Sequence, residues 1–451
     1  MIRTTPPWTP LAVASAGQFM LVLDVSVVNV ALPDIQSGLA MADGTVQWVV
    51  TGYALTFAGG LLVGGRLADL WGVRRVFIAG LLLFTAASMV GGLADSAAIL
   101  IAARAVQGMG AAIASPATLT AITTTYPEGS LRTRAIAVWT AVSLVGGGAG
   151  TIVGGLLTDA VSWRAVLLIN LPCGAAVIVA ARALPSGHRH APARPDAAGA
   201  VLITATLLVL TYAVSSASAA SASAVSAVVA AVVLLGVTIL YQRASPSPLL
   251  PRHLWHNASL VRGNLLVLAV GACFQAPIWL FLTYVMQGSL GLSPAQAGLG
   301  FVPLTVVTAL VGVWAAPALL RHLAPFTVIG AGAAITAAGL FWPACASPTG
   351  FVASILGPSV IIGIGGGLLN TPLSIVATSG VDESDAGAAS GLLNTAKQLG
   401  GALGLAALTP LTHGYNEFGP AFAALGGVMI AVALTATAIR MKGVDSHARS
   451  R

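Results

Sequence analysis

Fourteen apolar stretches follow one another along this chain, and nearly all of its charge lies between them. They fall at approximately 11–32, 47–65, 76–94, 98–118, 136–158, 164–181, 198–214, 223–241, 264–285, 296–316, 326–344, 353–377, 387–408 and 418–438. About 20 helical residues cross the ~30 Å hydrocarbon core of a bilayer, so each stretch is long enough to span it with modest tilt. A bilayer supplies no water to the backbone, which leaves helices and closed barrels as spanning structures. The runs are continuous rather than alternating, so they predict helices. The expected fold class is all-α integral membrane. Charged residues are 7% of 451 and the mean hydropathy is +0.92, whereas about 25% of a soluble domain is charged. The net charge of +7 is thus a matter of topology rather than of nucleic-acid binding.

The basic residues set an orientation. With both termini cytoplasmic, inner segments hold 17 of the 20 Lys and Arg, among them Arg3, Arg66, Arg74, Arg75, Arg132, Arg134, Arg243, Arg321 and Arg440. Outer connections carry Asp34, Asp43, Asp95, Asp159 and Glu417, with Arg164 at an outer edge. That bias is the one expected of a cytoplasmic face. No cleavable signal is evident, because the first apolar run is too long for one. Two longer inner connections, about 183–197 and 242–263, flank the seventh and eighth runs. The expected organisation is a six-helix bundle over 1–182, linkers with an inserted helix pair over 183–262, and a second six-helix bundle over 263–451. Ser215 to Ser223 is a small-residue stretch that could merge the inserted pair into one helix. His188 and His190 form an H-x-H in the first linker, read as a solvated loop rather than a metal site. Cys173, Cys273 and Cys345 lie in apolar runs and are expected to be buried thiols.

Three charges fall in the interior of the runs, away from their ends: Asp24, Arg104 and Lys397. A charge at that depth costs at least roughly 2.5–3.5 kcal/mol, which marks each as a functional candidate. Arg104 keeps its proton in practice. It serves either as a packing anchor bonded to backbone carbonyls or Gln107, or as the cation that sets the electrostatics around Asp24. A nearby cation favours an ionised carboxylate and apolar burial favours the neutral acid. A carboxylate whose surroundings alternate between these can load and release a proton; the other reading of Asp24 is a structural ion pair. Lys397 either snorkels towards the cytoplasm or lines a pathway. Asn394 and Gln398 sit beside it at helical spacing.

Several motifs together resemble the fourteen-helix drug:proton antiporter branch of the major facilitator superfamily. Leu23-Asp24-Val25-Ser26-Val27-Val28-Asn29-Val30-Ala31-Leu32-Pro33 is similar to its first-helix motif, and Gly65-Arg66-Leu67-Ala68-Asp69-Leu70-Trp71-Gly72-Val73-Arg74-Arg75 to the loop motif between helices 2 and 3. Arg104-Ala105-Val106-Gln107-Gly108 resembles the helix 4 element of antiporters. Trp163-Arg164, Ile169-Asn170 and Pro172 fit the start of helix 6, and the segment from Gly387 to Gly401 resembles helix 13. Departures are Leu70 and Val73 in place of basic residues, and Thr151 in place of a helix 5 proline.

The resemblance implies two pseudo-symmetric six-helix bundles plus an inserted pair, exporting small amphipathic drugs or antibiotics by alternating access. Asp24 and Arg104 are expected to couple protons. Substrate contacts are expected from Asn29, Tyr53, Gln107, Trp279, Tyr284, Asn370, Asn394, Lys397 and Gln398. Gating is expected from Asp69, Arg74 and Arg75, with Asp69 facing the start of helix 13 near Ala386, and from the glycine face Gly146, Gly150, Gly154 and Gly155. The expected partners are the substrate, protons and the lipid bilayer, with no nucleic acid, no cofactor beyond the proton gradient, and a monomer as the working unit. A transporter of one dedicated metabolite without proton coupling is the alternative. No phosphate loop or hydrolase arrangement is present in the sequence, so neither ATP drive nor enzymatic activity is expected. The Ala, Gly and Arg usage points to a high-GC bacterial plasma membrane.

Overall fold

The computed structural model describes residues 8–126, 130–184, 196–217, 222–245, 248, 254, 256–345, 350–381, 386–412 and 417–449. Among these residues there are only helices and their connections. The helical rods are α1 (Thr9–Gly38), α2 (Asp43–Trp71), α3 (Val73–Gly92), α4 (Ala97–Thr125), α5 (Ser130–Ala160), α6 (Trp163–Ala183), α7 (Ala197–Ser216) and α8 (Ala222–Ala244). They continue as α9 (Ala258–Ser289), α10 (Pro294–Leu320), α11 (Pro325–Cys345), α12 (Val352–Ala377), α13 (Ala386–Leu408) and α14 (Gly419–Arg449). Among the described residues, twelve stretches are long and apolar enough to cross a membrane. The rods outside that count are α2 and α13, helices of 29 and 23 residues, into which the sequence sets Gln47, Arg66 and Asp69, and Asn394, Lys397 and Gln398. The inserted pair forms two helices rather than one merged span.

Several helix starts follow from the sequence. Asp196 accepts from the Gly199 N–H at 2.9 Å to open α7, and Asn257 accepts from the Ser259 and Leu260 N–H groups to open α9. Ser293 and Gln296 form a reciprocal capping box at α10, satisfying amides that a helix start leaves without partners. Gly72, at φ 84°, makes the turn between α2 and α3, a conformation that glycine adopts without strain.

The chain divides into two compact units, Met1–Leu249 and Leu250–Arg451. In the first, α4 packs against α2 and α3, and α5 lies along α1. In the second, α12 packs against α10 and α11, and α13 lies along α9. The same order of neighbours thus recurs six helices on, once α7 and α8 are set aside. That pair packs on itself through a Thr206–Thr238 hydroxyl bond of 2.7 Å. It meets α2 through the Gln47 amide, which donates to the Ser215 hydroxyl at 2.8 Å, and through Trp48 against Tyr212.

Glycine faces make the α1–α5 and α9–α13 contacts. A Cβ at Gly150 would lie 2.6 Å from the Ser26 Cβ and 2.8 Å from the Leu23 carbonyl, and one at Gly154 2.6 Å from the Val27 carbonyl. Gly146 faces Phe19, and Gly155 is buried. Gly400 and Gly404 sit in the same way on the Leu268 and Ala272 carbonyls of α9. Small residues permit this approach where lipid gives no hydrophobic drive between helices. One expectation fails: Cys273 is buried, but Cys173 and Cys345 are exposed. In a membrane helix the apolar face turned to lipid is as hydrophobic as the interior, so an apolar neighbourhood does not imply burial.

Candidate functional site

Asp24 lies inside the first unit, fully buried, with Arg104 at 1% exposure beside it. The Arg104 Nη1 donates to Asp24 Oδ2 at 2.6 Å, a buried ion pair. The same nitrogen donates to Gln107 Oε1 at 2.7 Å, and Nε donates to the Val49 carbonyl at 3.1 Å. The guanidinium lies 4.4 Å over the Tyr53 ring, which stacks on Phe57. Arg104 therefore has both kinds of contact considered from the sequence: it anchors to a backbone carbonyl and to Gln107, and it pairs with Asp24.

Close helix contact brings these groups together. A side chain at Gly108 would collide with the Tyr53 carbonyl and the Thr56 hydroxyl, and one at Gly110 would lie 2.6 Å from the Phe84 nitrogen. α4 thus lies flush against α2 and α3, one turn from Arg104, which fixes the reach to Val49 and Tyr53. α6 is interrupted at Ile169, between Trp163–Leu168 and Asn170–Ala180. Pro172, lacking an N–H, deprives the Leu168 carbonyl of its helical donor there.

Two residues that sequence reasoning left out of the site complete it. Asn170 Nδ2 donates to Asp24 Oδ1 at 2.6 Å and to the Ser88 hydroxyl at 2.9 Å. Gln107 Nε2 donates to the same two atoms at 2.8 and 3.2 Å. Ser88 donates to the Leu167 carbonyl at 2.8 Å. Asp24 is thus met by donors from α4 and α6, and both its oxygens accept. Asn29, on α1, is buried, and its Oδ1 has no hydrogen-bond partner.

The remaining expected residues are dispersed. Tyr53 and Gln107 are buried within the Asp24 cluster, each in contact with Arg104. In the second unit Trp279 is half-buried, donates to the Phe274 carbonyl at 3.0 Å and lies 5.1 Å from the Phe301 ring. Tyr284 is buried, while Asn370 and Asn394 are exposed and bond carbonyls of their own helices, Gly366 and Ser390. Lys397 and Gln398 are half-buried, and Lys397 has no partner among the described residues. Arg74 is half-buried and Arg75 exposed at the start of α3. The Asp69 side chain, residues Gly387 and Ala388 beyond their backbone, and His188 and His190 lie outside the described residues.

The model for the Major Facilitator Superfamily matches residues 14–405. The chain belongs to that superfamily. It is 45% identical over 449 residues to the cephamycin export protein CmcT of Amycolatopsis lactamdurans, covering 96% of this chain and 92% of the relative. It is 36% identical over 414 residues to the puromycin resistance protein pur8 of Streptomyces alboniger, covering 90% and 82%. A crystal structure of the peptide transporter POT in complex with sulfate aligns at a TM-score of 0.73 over 98% of this chain and 96% of that one, at 17% identity, a likeness of fold. The chain is a multi-pass membrane transporter, as its motifs implied, and its function is transport rather than catalysis.

Proposed function

We propose that this protein exports small amphipathic antibiotics across a bacterial plasma membrane, driven by proton entry through Asp24. The observation that supports this most is the wholly buried Asp24–Arg104 pair. Buried ion pairs add little net stability, because apolar residues of equal volume do as well or better. A pair held inside a membrane bundle therefore calls for a functional reason, and intramembrane acids are the usual carriers in proton relays. The relatives named for cephamycin export and puromycin resistance support antibiotic-sized cargo.

The second unit supports a preference for neutral or anionic cargo. Among the described residues, Asp24 is the acid buried within a span, and Arg104 already neutralises it. Lys397 is a half-buried cation without a described partner, suited to a substrate carboxylate beside Asn394 and Gln398, with the half-buried Trp279 offering aromatic surface. Fourteen crossings with both termini cytoplasmic follow from the distribution of Lys and Arg. Everted membrane vesicles given an inward-acid pH gradient test the reading. Cephamycin or puromycin should accumulate, and collapse of the gradient should stop it. Equal accumulation with and without the gradient overturns proton drive.

A further inference from the structure

We infer that Asn170 and Ser88 are positioning residues of the Asp24 site, and that Ser88 orients the two amides that bond its carboxylate. The inference rests on the proton-coupling reading above. A hydroxyl has one proton and two lone pairs. Ser88 gives its proton to the Leu167 carbonyl, so towards Gln107 and Asn170 it can only accept. Each amide must therefore present its NH2 group to Ser88, and the second hydrogen of each NH2 reaches Asp24 Oδ1. Oxygen and nitrogen of an amide are assigned from such networks, and here the assignment is forced from two sides. Gln107 Oε1 is taken by Arg104, while Asn170 Oδ1 is buried with no partner at all. A buried orphan acceptor is costly, so what Asn170 gives the site is its donors.

Two N–H groups fill both lone pairs of Oδ1 and the guanidinium takes one on Oδ2, which leaves the second lone pair of Oδ2 for a proton. Loading transfers one proton from hydronium to Asp24 Oδ2: an O–H bond of hydronium breaks, water is released, and the carboxyl O–H forms. Arg104 stays charged and keeps Gln107 and the Val49 carbonyl. Asn170 is the donor that rides on a separate, interrupted helix, and Ser88 ties it to Leu167 of the same helix across the break. Withdrawal of α6 therefore removes from Oδ1 a donor that favours the charged form. Among the described residues, the charged and titratable groups facing Asp24 are Arg104 from α4 and Tyr53 from α2; α3 and α6 contribute the uncharged Ser88 and Asn170.

The test is infrared difference spectroscopy of the full chain in lipid vesicles, titrated with pH and without added substrate. The signal is the C=O stretch of a protonated carboxylic acid, assigned to Asp24 by its absence in Asp24→Asn. Losing one hydrogen bond to a charged group should move the midpoint of that band up by about one pH unit in Asn170→Leu. Ser88→Ala should move it in the same direction, and Ser88→Thr, which keeps the hydroxyl, should restore it. Retained thermal stability of each variant separates this from misfolding. Should Ser88→Thr fail to fold, the Asn170→Leu shift alone decides. An Asp24 band whose midpoint is unchanged in Asn170→Leu overturns the positioning role and leaves proton coupling standing. No Asp24 band at any pH overturns proton loading at Asp24, and both readings with it.

Discussion

Arg104 bonds to α1 through Asp24, to α2 through the Val49 carbonyl and the Tyr53 ring, and to Gln107 on its own helix. A lysine lacks the planar fork and can lose its proton when buried. Arg104→Lys should therefore abolish gradient-driven transport. Arg104→Met leaves a buried charge uncompensated and should lower stability by about 3–5 kcal/mol, read as a fall in melting temperature in detergent. The double variant Asp24→Leu/Arg104→Met should recover most of that loss and still not transport; a double variant as unstable as Arg104→Met would show that the pair itself holds the bundle together. Asp24 and Arg104 were legible in the sequence because a charge stands out in an apolar run. Gln107 was legible only as part of a motif. Ser88 carried no signal, since a buried serine in a helix usually bonds its own backbone. Asn170 could have been found, as the one amide in the run 164–181.

The helices themselves were readable from hydropathy, but their interruptions were not. The breaks at Ile169 in α6 and at Gln275 and Ala276 in α9 each lie just before a proline, Pro172 and Pro277, in runs whose mean hydropathy stays high. Hydropathy averages across such a break, whereas the missing N–H decides it. Glycine spacing was the better guide, because it marks where two backbones touch. Gly150→Val should shift α5 off Leu23 and Ser26, and Gly400→Val should shift α13 off Leu268. Overpacking of this kind costs roughly 1–3 kcal/mol, so both variants should melt earlier and transport less. Gly427→Ala, with nothing within 4 Å of the added carbon, should behave as the parent protein. Equal loss from all three would mean that close backbone contact does not set the effect, since Ala and Val both favour the helix over Gly.

At the scale of the whole molecule, the order of neighbours repeats between the two units, which suits transporters built from two related halves. The topology has a direct check in a background where Cys173, Cys273 and Cys345 are replaced. Cysteines introduced at 34–46 or 411–417 should react with an impermeant reagent from outside, and those at 183–197 or 242–262 should not. Outside labelling of the 183–197 linker would contradict fourteen crossings. Cargo charge is checked by a graded series of compounds: neutral and anionic amphipaths should be exported and divalent cations should not. One proton entering per neutral molecule leaving moves one charge, and at ~2.3 kcal/mol per 100 mV this supports an about fifty-fold gradient. The central claim is that Asp24 exchanges the proton. In vesicles containing the purified protein, substrate flow should carry protons the opposite way, read by a trapped pH dye. With Asp24→Asn that proton signal and gradient-driven accumulation should both vanish, while substrate-for-substrate exchange continues. Accumulation against a gradient at the parent rate in Asp24→Asn would contradict the account.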